Sequence, residues 1–234
     1  MVKHASFHYE WDQMDGEIKI RSYWEGDRQE VFRIAADTAF FGAPVEAFLD
    51  DRRLFCDAFV KYYLDFEADY VWVACIDDQV VGYLTGCVDS AVQRKRHLIR
   101  TIAPLVGRVF QGKYKLGSKT WRFTRSMFRS VMRNEYPHVN YDKYPAHLHM
   151  NVDAAKRGQG LGQKLMEAYL NQIRQLGIPG VFLGTTNLNE AACRLYEKTG
   201  FKLLEICQTQ VWSYLVGSSV ENRIYGFKLI DRDL

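Results

Sequence analysis

The sequence predicts an α/β fold: a mixed sheet flanked by helices. Three observations carry that prediction. Apolar residues recur at strand spacing and helix spacing in alternating segments along the chain. Glycine, proline and Asp-Asp pairs punctuate those segments. The 234 residues are 47% hydrophobic and 25% charged, a globular balance with enough apolar mass for a sizeable core.

The elements follow in order. In EIKIRSYW, Ile18 and Ile20 alternate with Lys19 and Arg21, a strand pattern. Asp27 is suited to cap a helix through VFRIAADTAF, with Gly42 ending it. PVEAFLDDRRLFCDAFVKYYLDF carries Phe48, Phe55, Phe59 and Tyr62 with Tyr63 at helical spacing. YVWVACI, Asp77-Asp78 and QVVGYLTGCVD form a hairpin. Leu98, Ile102, Leu105 and Val109 fall at helical spacing, and Pro104 predicts a kink or break. KTWRFTRSMFRSVMRNEY places Arg122, Arg125, Arg129 and Arg133 on one stripe. Trp121, Phe128, Val131 and Met132 cover much of the other side, which predicts an amphipathic helix laid over the core.

Pro137 and Pro145 bracket a loop before the strand AHLHMNVD. LGQKLMEAYLNQIRQL then aligns Leu161, Leu165, Tyr169, Ile173 and Leu176 on one helical face, stopped by Gly177 and Pro179. GVFLGTT is a strand, NEAACRLYEKT a helix closed by Gly200, and FKLLEI and RIYGFKLI two further strands. No repeat interrupts this order, so 1–234 reads as one domain.

Charge is uneven. Segment 90–143 holds 13 Lys and Arg against Glu135 and Asp142, 13 − 2 = +11, so the rest of the chain carries −8 of the +3 total. The five cysteines form no CxxC pair, which favours reduced thiols in a cytoplasmic protein over a disulfide framework or a zinc site. No apolar run approaches the ~18 residues of a membrane span. MVKHASFHYEWDQMDGE contains no apolar core of a secretory signal.

The candidate site centres on Arg157-Gly158-Gln159-Gly160-Leu161-Gly162. A P-loop would need GxxxxGK[ST], and the Lys164 spacing is wrong for it. A dinucleotide fingerprint started at Gly158 would put its third glycine on Gln163. What the run does offer is successive backbone N–H groups at a helix start, with Arg157 beside them: an anion cradle suited to a pyrophosphate. Taken alone, such a turn equally serves close packing of strand and helix.

Its surroundings decide. HLHMNVDAAKRGQGLGQKLMEAYL resembles the GCN5-related N-acetyltransferase (GNAT) family, whose strand ends in Val before [QR]xxGx[GA] opens a helix. Those positions are Val152, Arg157, Gly160 and Gly162. A second signature, NxxAxxxYxxxGF, is met by Asn189, Ala192, Tyr196, Gly200 and Phe201. The resemblance implies a GNAT-like mixed, mostly antiparallel central sheet, with 90–143 as a basic helical insertion that the minimal fold lacks. It implies acetyl transfer from acetyl-CoA, as cosubstrate, to a primary amine by direct attack in a ternary complex, with no cysteine nucleophile and no metal.

Residue by residue, the backbone from Gly158 through Gln159, Gly160, Leu161 and Gly162 to Gln163 would take the pyrophosphate, with Arg157 beside it. Met150 and Val152 would pair with the pantetheine arm, the Met150 N–H serving as oxyanion donor. Asn189 would contact the coenzyme or cap its helix, or both. Tyr196 would act as the general acid. The family's base positions carry Ala146 and Leu148 here, and neither side chain accepts a proton. His147 and His149 alternate to the other face, where strand geometry predicts partly buried structural histidines rather than a base or a metal pair. The YPAHLH…RGQGLG wording also resembles acetyltransferase-like domains attached to O-GlcNAc hydrolases, some of them without transfer activity. A non-catalytic acetyl-CoA-binding domain is therefore the second reading. The basic insertion is read as core cover or acceptor wall, ahead of nucleic acid or a membrane surface. Dimers are common in the family, which leaves a homodimer open.

Overall fold

The computed structural model describes residues 9–11, by backbone alone, and 17–230. Its strands are β1 (Tyr9–Trp11), β2 (Ile18–Ser22), β3 (Val71–Ile76), β4 (Gln79–Cys87), β5 (Ala146–Val152), β6 (Gly180–Thr186), β7 (Lys202–Thr209) and β8 (Val220–Lys228). The helices are α1 (Arg28–Asp37), α2 (Arg52–Phe59), α3 (Lys61–Phe66), α4 (Ser90–His97), α5 (Ala103–Phe110), α6 (Ser118–Met132), α7 (Leu161–Gln175), α8 (Glu190–Lys198) and α9 (Ser213–Val216). The strands form one sheet ordered β1-β2-β3-β4-β5-β6-β8-β7. Every neighbouring pair is antiparallel except β5 and β6, which run parallel. The mixed, mostly antiparallel sheet expected from the sequence is present.

Helices cover both faces, and this explains the composition of β3. All six residues of VWVACI are buried. Val71, Val73 and Cys75 pack with Val31, Ile34 and Tyr63 on one face, while Trp72, Ala74 and Ile76 join Leu165, Tyr169 and Ile173 of α7 on the other. Full burial stabilises each such Leu or Ile by roughly 1.5–3 kcal/mol, and the i, i+4 spacing of Leu165, Tyr169 and Ile173 delivers all three to one face. Leu176, expected on the same stripe, falls past the helix end and is exposed. The β3–β4 turn has positive φ at both Asp77 and Asp78, the twist-matched two-residue hairpin that acidic turn residues tolerate.

Four local expectations change. Asp27 does not cap α1 with its side chain. It is buried and forms a bidentate pair with Arg21 at 2.7 and 2.8 Å, an alternative that a buried carboxylate takes over a solvent-facing cap. α1 ends at Asp37, and Gly42 lies beyond it in a tight turn closed by the Phe40–Ala43 bridge. The apolar run 44–66 breaks between α2 and α3 rather than forming one helix. Pro104 does not break its helix either: a π turn, Leu98–Ile102, precedes α5, and the widened turn takes up the clash between the proline ring and the preceding carbonyls.

The largest change is at α6. Its buried face is Thr120, Phe123 and Ser130. Phe123 stacks on Trp212, with ring centroids 5.4 Å apart, and meets Phe48 at 4.8 Å. Asp50 caps the helix from a distant segment, accepting from the Gly117 and Thr120 backbone N–H groups at 2.9 Å. Trp121, Phe128, Val131 and Met132, expected to cover the core, are all exposed.

Candidate active site

β5 is the strand on which the site is built. Its register with β4 runs from His147 to Val152, but its pairing with β6 spans only Ala146–Val181 and His147–Phe182. Beyond that point the two strands part. The Asp153 N–H bonds to the Val81 carbonyl of β4 at 2.8 Å. Backbone groups alternate along a strand, so those of Leu148, Met150 and Val152 point the other way, towards the gap. Among the described residues no strand pairs with that stretch of edge.

The chain then turns into the glycine run. Asp153 accepts from Ala155 N at 3.1 Å and pairs with Arg33 at 3.0 Å, fixing a short 3₁₀ turn, Ala154–Lys156. Gly160, the residue before α7, has φ +75°, a conformation that disfavours any side chain. A Cβ there would project into open space. Gly162 serves differently: a Cβ would lie 3.0 Å from Leu195 and 3.3 Å from Met150, so this glycine permits close approach of α7 to α8 and β5. The first intrahelical bond of α7 runs from Lys164 N to Gly160 O at 3.1 Å. The N–H groups of Leu161, Gly162 and Gln163 therefore have no intrahelical acceptor.

These amides border a cavity of about 380 Å³. Met150, Val152, Arg157, Gly158, Gly160, Leu161, Gly162, Gln163, Asn189 and Tyr196 line it, so ten of the residues singled out from the sequence converge there. Gln159 does not; it is exposed outside the lining. The Arg157 head is fastened to two carbonyls, Val152 O at 3.3 Å and Gly42 O at 3.2 Å. Lys156, Arg194 and Lys198 also reach the cavity, and among the described residues no carboxylate lines it. Those three were not anticipated; the signal available was the i, i+4 repeat of Arg194 and Lys198 on one side of α8. Asn189 caps α8, accepting from Ala192 N at 3.4 Å. Tyr196 is buried between Phe201 and Tyr225, and burial pushes its phenol pKa well up, so it holds its proton at neutral pH.

The opposite face of β5 borders a second cleft, of about 300 Å³, whose walls include Phe59, Tyr63, Arg94, Tyr141, His149 and Phe182. Leu148 and Leu183 lie on its floor, at the point where β5 and β6 part. His147 is buried, as expected. Ser90 Oγ donates to Pro145 O at 2.6 Å and can only accept from His147 Nδ1, at 2.7 Å; Nε2 then accepts from the Tyr63 hydroxyl at 2.7 Å. Burial, with smaller contributions from His149 and His97, holds the His147 pKa down to about 3. His149 corrects the expectation. It is open to solvent in the cleft rather than packed under a helix. Desolvation by the surrounding protein lowers its pKa from the usual 6.5, which leaves the ring neutral at physiological pH. No group of three or more potential metal ligands occurs among the described residues.

The parting parallel strand pair and the cationic, amide-lined cavity give an α/β fold whose site is suited to a phosphate-bearing ligand. Residues 130–201 match the acetyltransferase (GNAT) family. The chain is 35% identical over 77 residues to N-acetyltransferase 8B of Homo sapiens, a stretch covering 33% of this chain and 34% of that protein. It thus matches about a third of that relative's length. Across nearly the whole fold it resembles the crystal structure of SsHAT, with a TM-score of 0.70 and 22% identity, covering 92% of this chain and 99% of that one. It also resembles YncA of Salmonella typhimurium, described as a putative acetyltransferase with its cofactor acetyl-CoA, with a TM-score of 0.57 and 14% identity over 93% and 96% of the two chains. The family match is thus confined to residues 130–201, and the likeness across nearly the whole chain is one of fold.

Proposed function

We propose that this chain is an N-acetyltransferase, moving acetyl from acetyl-CoA to a primary amine by direct attack in a ternary complex. The observation that carries the reading is the edge of β5, unpaired among the described residues, which runs from the strand gap to the amide cradle of α7 and into a cavity that, among those residues, four cations and no carboxylate line. An extended amide-bearing arm suits the edge, and a pyrophosphate suits the cradle. Lys156, Arg194 and Lys198 supply charge for the remaining phosphate.

In this reading the Met150 N–H stabilises the oxyanion as the amine nitrogen bonds to the thioester carbon. The carbon–sulfur bond then breaks, and Tyr196, protonated at neutral pH, donates to the departing thiolate. The amine enters through the cleft on the other face. An ammonium of pKa near ~10.4 must lose a proton before attack, and His149, a neutral ring open to that cleft, is suited to receive it. Five unpaired cysteines suit a cytoplasmic setting. The test is thiol release from acetyl-CoA across a panel of amines. Release with at least one amine is expected; tight acetyl-CoA binding with no release from any would favour the non-catalytic reading, to which Ala146 and Leu148 at the family's base positions lend support.

A further inference from the structure

We propose that α6 docks the protein on an anionic phospholipid surface, an interaction independent of the transferase reading. Two properties of one helix support it. The first is an uncovered apolar ridge. Trp121, Phe128, Val131 and Met132 are 65%, 64%, 57% and 71% exposed. Trp121, Phe128 and Met132 are seven and four residues apart, so at about 100° per residue they lie within about 40° of one another around the axis. Phe123 and Ser130, packed beneath, point the opposite way. The ridge is therefore the outermost line of the helix, where a folded chain gains nothing by placing aromatic side chains in water.

The second property is the charge beside it. Arg122, Arg125, Arg129 and Arg133 line a groove of about 400 Å³ between α6 and the β7–β8 connection, shared with Ser126, Gln210, Ser213 and Tyr214. Arg133 lies 3.7 Å from Glu135. Among the described residues the other three have no carboxylate partner. Guanidinium groups converging on a groove, three of them without a carboxylate partner among the described residues, are suited to phosphate oxygens. A row of arginines flanking an outward aromatic ridge is the signature of a helix lying in a membrane interface: the ridge enters the acyl boundary while the arginines meet headgroup phosphates. Charge complementarity selects an anionic bilayer over a second copy of this chain, because a partner presenting the same four arginines would repel.

The helix is also rigidly mounted. Ser126 Oγ donates to Val211 O at 2.8 Å, and Phe123 stacks on Trp212. Docking then requires no rearrangement of α6.

The experiment is flotation of the full chain with vesicles of phosphatidylcholine alone or of phosphatidylcholine with phosphatidylserine, at low and high salt. Binding to the anionic vesicles only, weakened by salt, is expected. Replacing Arg122, Arg125 and Arg129 by Gln should weaken it about a hundredfold. Phe128→Ser with Trp121→Ser should abolish it, with circular dichroism and acetyl-CoA affinity unchanged. No flotation of the unmodified chain on anionic vesicles overturns the proposal. So does a dimer in solution that Phe128→Ser dissociates, or retention of RNA on a filter, if either occurs without vesicle binding.

Discussion

The cradle at the start of α7 and the outer face of α6 are both cationic, and they differ in what accompanies the charge. In the cradle, Lys156, Arg157, Arg194 and Lys198 surround a concavity whose floor is backbone amide. On α6, four arginines stand beside large apolar side chains directed at solvent. The first arrangement is suited to enclose a small phosphate-bearing molecule, the second to meet an extended surface. Positive charge alone therefore says little about a ligand, and the shape and polarity next to it say most.

The sharpest way to break this comparison is Gly160→Asp. The substitution forces a side chain into a left-handed position and puts a carboxylate in the cradle, so acetyl-CoA affinity should fall more than about a hundredfold by calorimetry. The Arg122, Arg125 and Arg129→Gln triple variant should leave that affinity unchanged; a comparable loss in both would erase the distinction. Tyr196→Phe should keep affinity and lower turnover by about a hundredfold or more. Retained turnover would remove Tyr196 as the acid.

His149→Ala should lower kcat at least tenfold with KM for acetyl-CoA unchanged, because the ring lies in the cleft through which the amine is proposed to enter. A change in KM alone would reassign it to binding. The effect confined to acid pH concerns stability. His147 stays neutral in the fold down to about pH 3, whereas the unfolded chain protonates it near 6.5. Its contribution is therefore complete above pH 6.5 and lost as pH falls towards 3, by up to roughly 1.4 kcal/mol per pH unit within that window. His147→Gln should flatten that slope in denaturant titrations at successive pH values.

The sequence was most informative where structure is local. Gly158, Gly160 and Gly162 revealed the cradle because backbone conformation and close approach depend on the glycines themselves. The hairpin at Asp77-Asp78 and the helix of Leu165, Tyr169 and Ile173 were legible for the same reason. Features made by distant partners were not. Asp27 turned to Arg21, and Asp50 caps α6 across 67 residues of chain. The α6 ridge misled because helical periodicity marks an apolar face without saying what lies against it; Phe123, with the Asp50 cap and the Ser126 bond to Val211 O, anchors the helix and leaves the other apolar residues outside. His149 misled in the opposite sense. Strand alternation gave its face correctly, but the cleft it opens onto is built by Phe59, Tyr63, Arg94 and Tyr141, from segments whose placement the local pattern does not contain.

The central claim is that the free β5 edge and the α7 cradle form one acetyl-CoA site. Calorimetric titration of the full chain with acetyl-CoA, in parallel with Gly160→Asp, tests it most directly. Saturable one-to-one binding that the substitution abolishes is expected. No binding heat from the unmodified chain at saturating coenzyme, or equal affinity in the two proteins, would contradict it.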